Sequence, residues 1–259
     1  MSELTYAAKR HRIAKAADAT LSGQVVGGVG ASEAVESLVV LLDVSPSMLA
    51  RDLPPSRLKA ACAANAELIA AKAAKHPRDL VAVIAFGGET LLLHEPAVVG
   101  RHVQSLLGCL KSPQCLDWTN FHAALTRAGS LLWGDDGLAA IRGHLLRFLT
   151  GLAHRNRPAA SRARGALGPD GCVKRIVLLS DGERTQGPSP GPVAERLKAQ
   201  GVIIDCIGIA DRASVDEVAL KAIASRNPDG SPRYCFVRDR QKLIRKYRTL
   251  AGHIRPVKE

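Results

Sequence analysis

Aromatic residues are scarce in this chain of 259 residues: four Phe, three Tyr and two Trp, 3% in all. So few rings exclude an extended platform for stacking nucleobases. Long apolar runs are missing as well. The most prominent, Leu38 to Leu42 and Leu80 to Phe86, fall far short of the roughly 18 residues that cross a bilayer. No apolar stretch follows the basic N-terminus, so no secretory signal is expected, and the reading is a soluble, cytoplasmic protein. The six cysteines (Cys62, Cys109, Cys115, Cys172, Cys206, Cys235) form no CxxC pair and no zinc spacing. They read as small apolar residues in a reducing compartment, with Cys109 and Cys115 unbridged. No GxSxG, HExxH or phosphate-loop motif occurs, and the eight histidines show no paired metal spacing. Acidic residues are outnumbered, 24 against 36 Lys and Arg, leaving a net charge of +12. That excess points to an acidic partner of some kind and says nothing about fold. A hydrophobic share of 46% excludes a disordered chain.

What is present is an alternation of strands and helices. Residues 1–35 read as a basic leader and linker, with a short helix from Thr5 to Ala19 and a glycine-rich stretch from Gly23 to Gly30. Leu38 to Leu42 is a continuous apolar run, as expected of a strand buried on both faces. Pro54 and Pro55 open a helical pattern from about Ser56 to Lys75. Leu80 to Phe86 is a second strand; Gly87 and Gly88 turn it into a third, Thr90 to His94, which so short a link makes antiparallel. Helical patterns follow at about 103–110, 121–133 and 138–152. The segment at about 134–172 stands out as a basic insertion. Further strands are expected at 175–179, 202–209 and 234–237, and helices at 193–200, 215–225 and 241–253. The expectation is a Rossmann-like α/β fold: a mostly parallel six-stranded sheet, one antiparallel edge strand, and helices on both faces. It occupies residues 36–255 as a single domain.

Ligands of such sheets bind beyond the carboxyl ends of the strands, where the strand order reverses. Two strands end in oxygen donors. The first runs into Asp43-Val44-Ser45-Pro46-Ser47, and a central one runs into Ser180-Asp181-Gly182-Glu183. Two carboxylates and two hydroxyls make a nest of hard oxygens suited to Mg²⁺, with Mn²⁺ or Ca²⁺ as substitutes.

Asp43-x-Ser45-x-Ser47, then Thr119-Asn120, then Asp181-Gly182 resemble the metal-ion-dependent adhesion site of von Willebrand factor A domains. The segments DVSPSMLARDLPPSRLKAA, DLVAVIAF, TNFHAAL and RIVLLSDGE fall in that family's order, and RYCFVRDRQKLI is similar to its last strand and helix. The likeness covers about residues 36–252. It is strongest to bacterial Bat-type members, which work beside MoxR-type AAA+ ATPases. The resemblance implies that Ser45 and Ser47 bind the metal through their hydroxyls and Thr119 directly or through water. Asp43 and Asp181 would then hold coordinated waters. Hydroxyl ligands leave the cation much of its charge, so an Asp or Glu of a partner can complete the octahedron. Pro46 stands where the family's first motif usually has Gly, and Asp117 and Trp118 replace the Gly usual before Thr119.

The expected function is a metal-dependent protein–protein adaptor, not an enzyme. Its partner would offer a carboxylate, and a system containing a MoxR-type ATPase is the first to test. Bat-type relatives carry flanking membrane segments that are not expected here. Two other readings stand beside it. One is a nucleic-acid-associated protein using the basic insertion (Arg142, Arg147, Arg155, Arg157, Arg162, Arg164, Lys174, Arg175) and the last helix (Lys242, Arg245, Lys246, Arg248). The other is a Mg²⁺-dependent hydrolase, with His94 and His122 near enough in sequence to approach the metal face. Glu183 is expected near the site but solvated.

Overall fold

The computed structural model describes residues 36–133, 172–182, 186–209 and 215–252. The expected leader, the helix at 138–152, nearly all of the basic insertion and Glu183 lie outside these residues.

The first strand, β1 (Glu36–Asp43), is apolar from Leu38 to Leu42 because both of its faces are covered. Its side chains divide with period two. Leu38, Val40 and Leu42 enter one core with helix α1 (Arg57–Lys75), α2 (Val99–Cys109) and α6 (Arg240–Leu250). Val39 and Leu41 enter the other core, with α3 (Phe121–Trp133), α4 (Gly191–Ala199) and α5 (Glu217–Ile223). The remaining strands are β2 (Leu80–Phe86), β3 (Thr90–Val98), β4 (Val173–Ser180), β5 (Ile203–Ile209) and β6 (Tyr234–Val237). They form one sheet in the order β3-β2-β1-β4-β5-β6. Only the β2–β3 pairing is antiparallel. The expected architecture therefore holds, with the strand order reversing between the neighbours β1 and β4. No helix among the described residues is long and apolar enough to cross a membrane.

Ser56 caps α1 by accepting the Lys59 N–H at 3.2 Å. The β3 strand runs on to Val98, past the His94 at which its sequence pattern was read to end. That places His94 inside the strand, opposite Val83, where its Nε2 meets Ser105 Oγ at 2.9 Å; it does not approach the candidate metal face.

The amino ends of the strands hold a buried ionic cluster. Lys72 Nζ lies 2.6 Å from Asp79 and 3.1 Å from Glu36, while Arg175 Nε lies 2.7 Å from Asp205. Arg233 also pairs with Asp205, at 2.9 Å, and Arg175 Nη1 donates to the Leu250 carbonyl at 2.7 Å, tying down the end of α6. Three acids meet three bases, so burial leaves no excess of either sign. Lys174 is buried too and donates to the Leu132 carbonyl at 2.8 Å. Lys174 and Arg175 are thus structural and leave the basic surface to which their sequence neighbours assigned them.

Candidate metal centre

The opposite, carboxyl end of the sheet carries the candidate site. Asp43 closes β1 and is fully buried. Its Oδ1 accepts the Ser45 N–H at 2.9 Å, an Asx turn that bends the chain across the strand end. Pro46 then opens a 3-10 turn, Pro46–Leu49, which brings Ser47 back over Ser45 with their hydroxyl oxygens 3.0 Å apart. Pro46 thus occupies a first-turn position for which its fixed φ is suited. From β4, Ser180 donates its hydroxyl to Asp43 Oδ2 at 2.5 Å and accepts the Gly182 N–H at 2.9 Å. Asp181, next along that chain, is buried.

Thr119 reaches this end through backbone bonds on three sides. The Leu116 N–H donates to Val44 O at 3.1 Å, Asn120 N–H to Gly87 O at 2.8 Å, and Gln186 N–H to Thr119 O at 3.2 Å. The turn at Gly87 and Gly88 permits this because the loop passes hard against it. A Cβ on Gly87 would lie 2.5 Å from that of Leu116, and one on Gly88 would lie 2.4 Å from Gln186 Oε1. Trp118 holds φ at 64°, the one positive φ of a non-glycine residue among those described. A left-handed backbone costs a bulky L-residue about 1–2 kcal/mol, so the sequence departure before Thr119 is accommodated by strain at Trp118. His122 Nδ1 lies 3.3 Å from the Ser189 carbonyl.

Two contributors were not singled out in the sequence. Ser180 precedes Asp181 in the strand end already recognised, and its hydroxyl orients both Asp43 and Gly182. Arg57 is buried at the start of α1 and grips Asp52 with Nε and Nη2, at 2.8 and 2.7 Å. Its Nη1 donates to Asp181 Oδ2 at 3.1 Å. The signal was legible in principle: a cation in the first turn opposes the helix dipole, and so calls for a carboxylate close by.

The donor chemistry fits a hard divalent cation. Burial pushes the Asp43 carboxyl up from 3.8 to about 7, and Asp181 adds to the rise against hydrogen bonds from Ser180 and Ser45 that pull it down. Burial thus disfavours the charged form of Asp43, and a cation alongside would favour it. Asp52 and Asp181 share the guanidinium of Arg57, and Asp43 lies close enough to Asp181 for the two carboxylates to repel each other. Soft or imidazole donors are not part of the constellation, which suits Mg²⁺-type oxygen coordination.

An open α/β sheet with an Asp-x-Ser-x-Ser loop and a second carboxylate meeting at its switch point defines a class of metal-site interaction domains. Within it, the chain belongs to the von Willebrand factor type A domain family: one model of that family matches residues 38–183 and a second matches residues 145–247. Comparison with curated proteins finds no match. Among solved structures the chain is similar to BatB of Bacteroides thetaiotaomicron, at 19% identity and a TM-score of 0.54, over 84% of this chain and 98% of that one. A von Willebrand factor type A protein of Catenulispora acidiphila gives 18% and 0.59, over 84% and 42%. Proximal thread matrix protein 1 of the mussel byssus, solved with a zinc-occupied adhesion-site motif, gives 13% and 0.58, over 85% and 48%. Likenesses this distant establish the fold, and the family is established by the matched models.

Proposed function

We propose that this chain is a divalent-metal-dependent protein-interaction module that holds an Asp or Glu of its partner through a Mg²⁺-bearing adhesion site. The observation that supports it is the convergence of Asp43, Ser45 and Ser47 from β1 with Asp181 from β4 and the loop carrying Thr119. It occurs at the end of the sheet where the carboxylates of Asp43 and Asp181 are buried near each other. Ser45, Ser47 and Thr119 would offer hydroxyl oxygens to the ion, and Asp43 and Asp181 would hold its waters. When bound, the cation supplies an open coordination position and a net positive field for an incoming carboxylate. Ser180 fixes the Asp43 carboxylate, so that this donor is oriented before the ion arrives, and Arg57 neutralises Asp181 until the ion supplies a competing charge. No residue here is assigned to general acid or base catalysis, and the role is binding. The partner class to test first is a system with a MoxR-type AAA+ ATPase, as the likeness to Bat-type proteins suggests.

The experiment is a pulldown with the full chain, in Mg²⁺, in EDTA and with a Ser45→Ala/Ser47→Ala variant, paired with direct Mg²⁺ and Mn²⁺ titration by calorimetry. The expected result is partner recovery in Mg²⁺ alone, with metal affinity at least about tenfold weaker in the double variant. Equal recovery in all three conditions would overturn the reading.

A further inference from the structure

We propose that Trp118 is the anchor of the partner-binding surface, receiving an apolar or aromatic side chain that neighbours the partner's acidic residue. This rests on the metal-dependent reading above and adds the chemistry of what is recognised beside the carboxylate.

Four large hydrophobic side chains are exposed among the described residues: Leu49, Leu91, Trp118 and Val218. All four lie at the carboxyl end of the sheet. Leu49 closes the turn that carries Ser47. Trp118 directly precedes Thr119. Leu91 sits opposite Ala85, one register position from Phe86, which is the partner of Asp43. Val218 is in the first turn of α5, whose capping residue Asp216 packs against Gly182: a Cβ there would meet the Asp216 carbonyl at 2.9 Å. None of the exposed apolar groups is found at the amino end, where the ionic cluster lies. Leu91 and Val218 belong to opposite sides of the sheet, whereas Leu49 and Trp118 each adjoin a candidate metal donor, so these two are the apolar groups nearest the site in the chain.

Trp118 is distinguished within this set. It is 60% exposed although it is the kind of side chain that burial rewards most. Its φ of 64° is strained for any residue with a Cβ. The backbone holds it there regardless, since Gly88 N–H donates to Asp117 O at 2.5 Å and Asn120 N–H to Gly87 O at 2.8 Å. Strain of this sort persists where the surroundings over-determine it, and it collects at binding sites. The ring is thus presented outward on a fixed loop beside a candidate metal ligand. A rigid aromatic loses little side-chain freedom on binding and makes a strong interface anchor. An apolar contact here would also exclude water from the adjoining carboxylate–cation contact and strengthen it. The occupant is therefore a protein segment with an Asp or Glu beside an apolar residue. A purely acidic segment or a phosphate backbone would leave the hydrophobic rim unused.

The test is selection from a displayed random-peptide library on the full chain in Mg²⁺, with elution first by EDTA and then by acid to recover any binder that EDTA does not release. A selected peptide is then synthesised and measured against wild type, Trp118→Phe and Trp118→Gly. Glycine suits the positive φ, so this variant removes the ring without disturbing the loop. The expected peptides carry an acid next to an apolar or aromatic residue. Trp118→Gly binds them at least about tenfold more weakly with unchanged Mg²⁺ affinity, and Trp118→Phe loses less. Binding shifts the tryptophan emission to the blue in wild type but not in Trp118→Gly. EDTA-eluted peptides that bind wild type and Trp118→Gly equally overturn the anchor and leave the metal reading intact. Apolar peptides that need Trp118 but ignore EDTA overturn the metal reading and leave the anchor. Recovery of no binding peptide overturns both.

Discussion

Replacing Arg57 with Met keeps the length of the side chain, deletes its charge, and should reveal how the site is held together. In the wild type the guanidinium touches Asp52 twice, at 2.7 and 2.8 Å, and Asp181 once, at 3.1 Å. The Asp181 side chain is 2% exposed and that of Asp52 is 31% exposed, so water can take over at Asp52 but hardly at Asp181. Breaking a buried pair by removing one partner costs about 3–5 kcal/mol. Solvation of Asp52 places the expected loss near the lower end, about 3 kcal/mol, or roughly 6–12 °C in Tm for a domain of this size. The assay is urea denaturation in EDTA and again in saturating Mg²⁺. A cation next to Asp181 supplies the charge that Met does not. Mg²⁺ should therefore stabilise Arg57→Met more than it stabilises wild type, through RT ln(1 + [L]/Kd) with a lower Kd. Arg57→Lys, which retains charge without the planar fork, should fall between the two. A variant within about 0.5 kcal/mol of wild type in EDTA, or an equal Mg²⁺ increment in both proteins, would refute this account of the site.

Trp118→Gly should raise stability by about 1 kcal/mol in thermal denaturation, because relief of the strain at φ 64° exceeds the added freedom of the unfolded chain; a lower Tm would count against strain at this loop. Gly187→Ala should destabilise by about 1–3 kcal/mol and weaken Mg²⁺ binding. Its φ is 82°, and a Cβ there would lie 2.4 Å from Asn120 Oδ1, beside Thr119. Lys72→Met should cost about 3–5 kcal/mol in urea denaturation with no change in Mg²⁺ affinity, since its partners Asp79 and Glu36 lie at the far end of the sheet. In alkylation of the native protein followed by peptide mass mapping, Cys115 should react first among the described cysteines. It is exposed, whereas burial pushes the Cys62 thiol up to about 12 and encloses Cys206.

The fold was largely legible because β1, β2 and β4 are built around the apolar runs Leu38–Leu42, Leu80–Phe86 and Ile176–Leu179, and because β1 ends at Asp43 while Asp181 directly follows β4. Period and spacing supplied the site in the same way: the turn at Asp43 is local, so its residues can be read from adjacent positions. Arg57 could not be read in that way. It meets Asp181 across 124 positions, and only the tertiary path of α1 past β4 brings them together. Lys174 and Arg175 failed for the converse reason. In sequence they adjoin an arginine-rich stretch, yet β4 carries them into the interior, where Asp205, Glu36 and the Leu132 and Leu250 carbonyls absorb their donors. A charge count along the chain cannot separate a basic surface from a buried pairing.

The same sheet treats buried charge in opposite ways at its two ends, and that difference bears on function more than the net charge of +12 does. At the amino end Glu36, Asp79 and Asp205 are matched by Lys72, Arg175 and Arg233, and the cluster has no electrostatic reason to recruit anything. At the carboxyl end Asp52 and Asp181 share Arg57, while burial raises the Asp43 carboxyl to about 7 with no cation paired to it among the described residues. An unmatched buried carboxylate is costly, and a fold retains it where something from outside removes the cost. On the reading proposed above, a divalent ion would do so and would turn an acidic pocket into a positively charged face. The excess of Lys and Arg would then reinforce that field and steer acidic protein surfaces toward the end of the sheet where Trp118 and Leu49 are exposed.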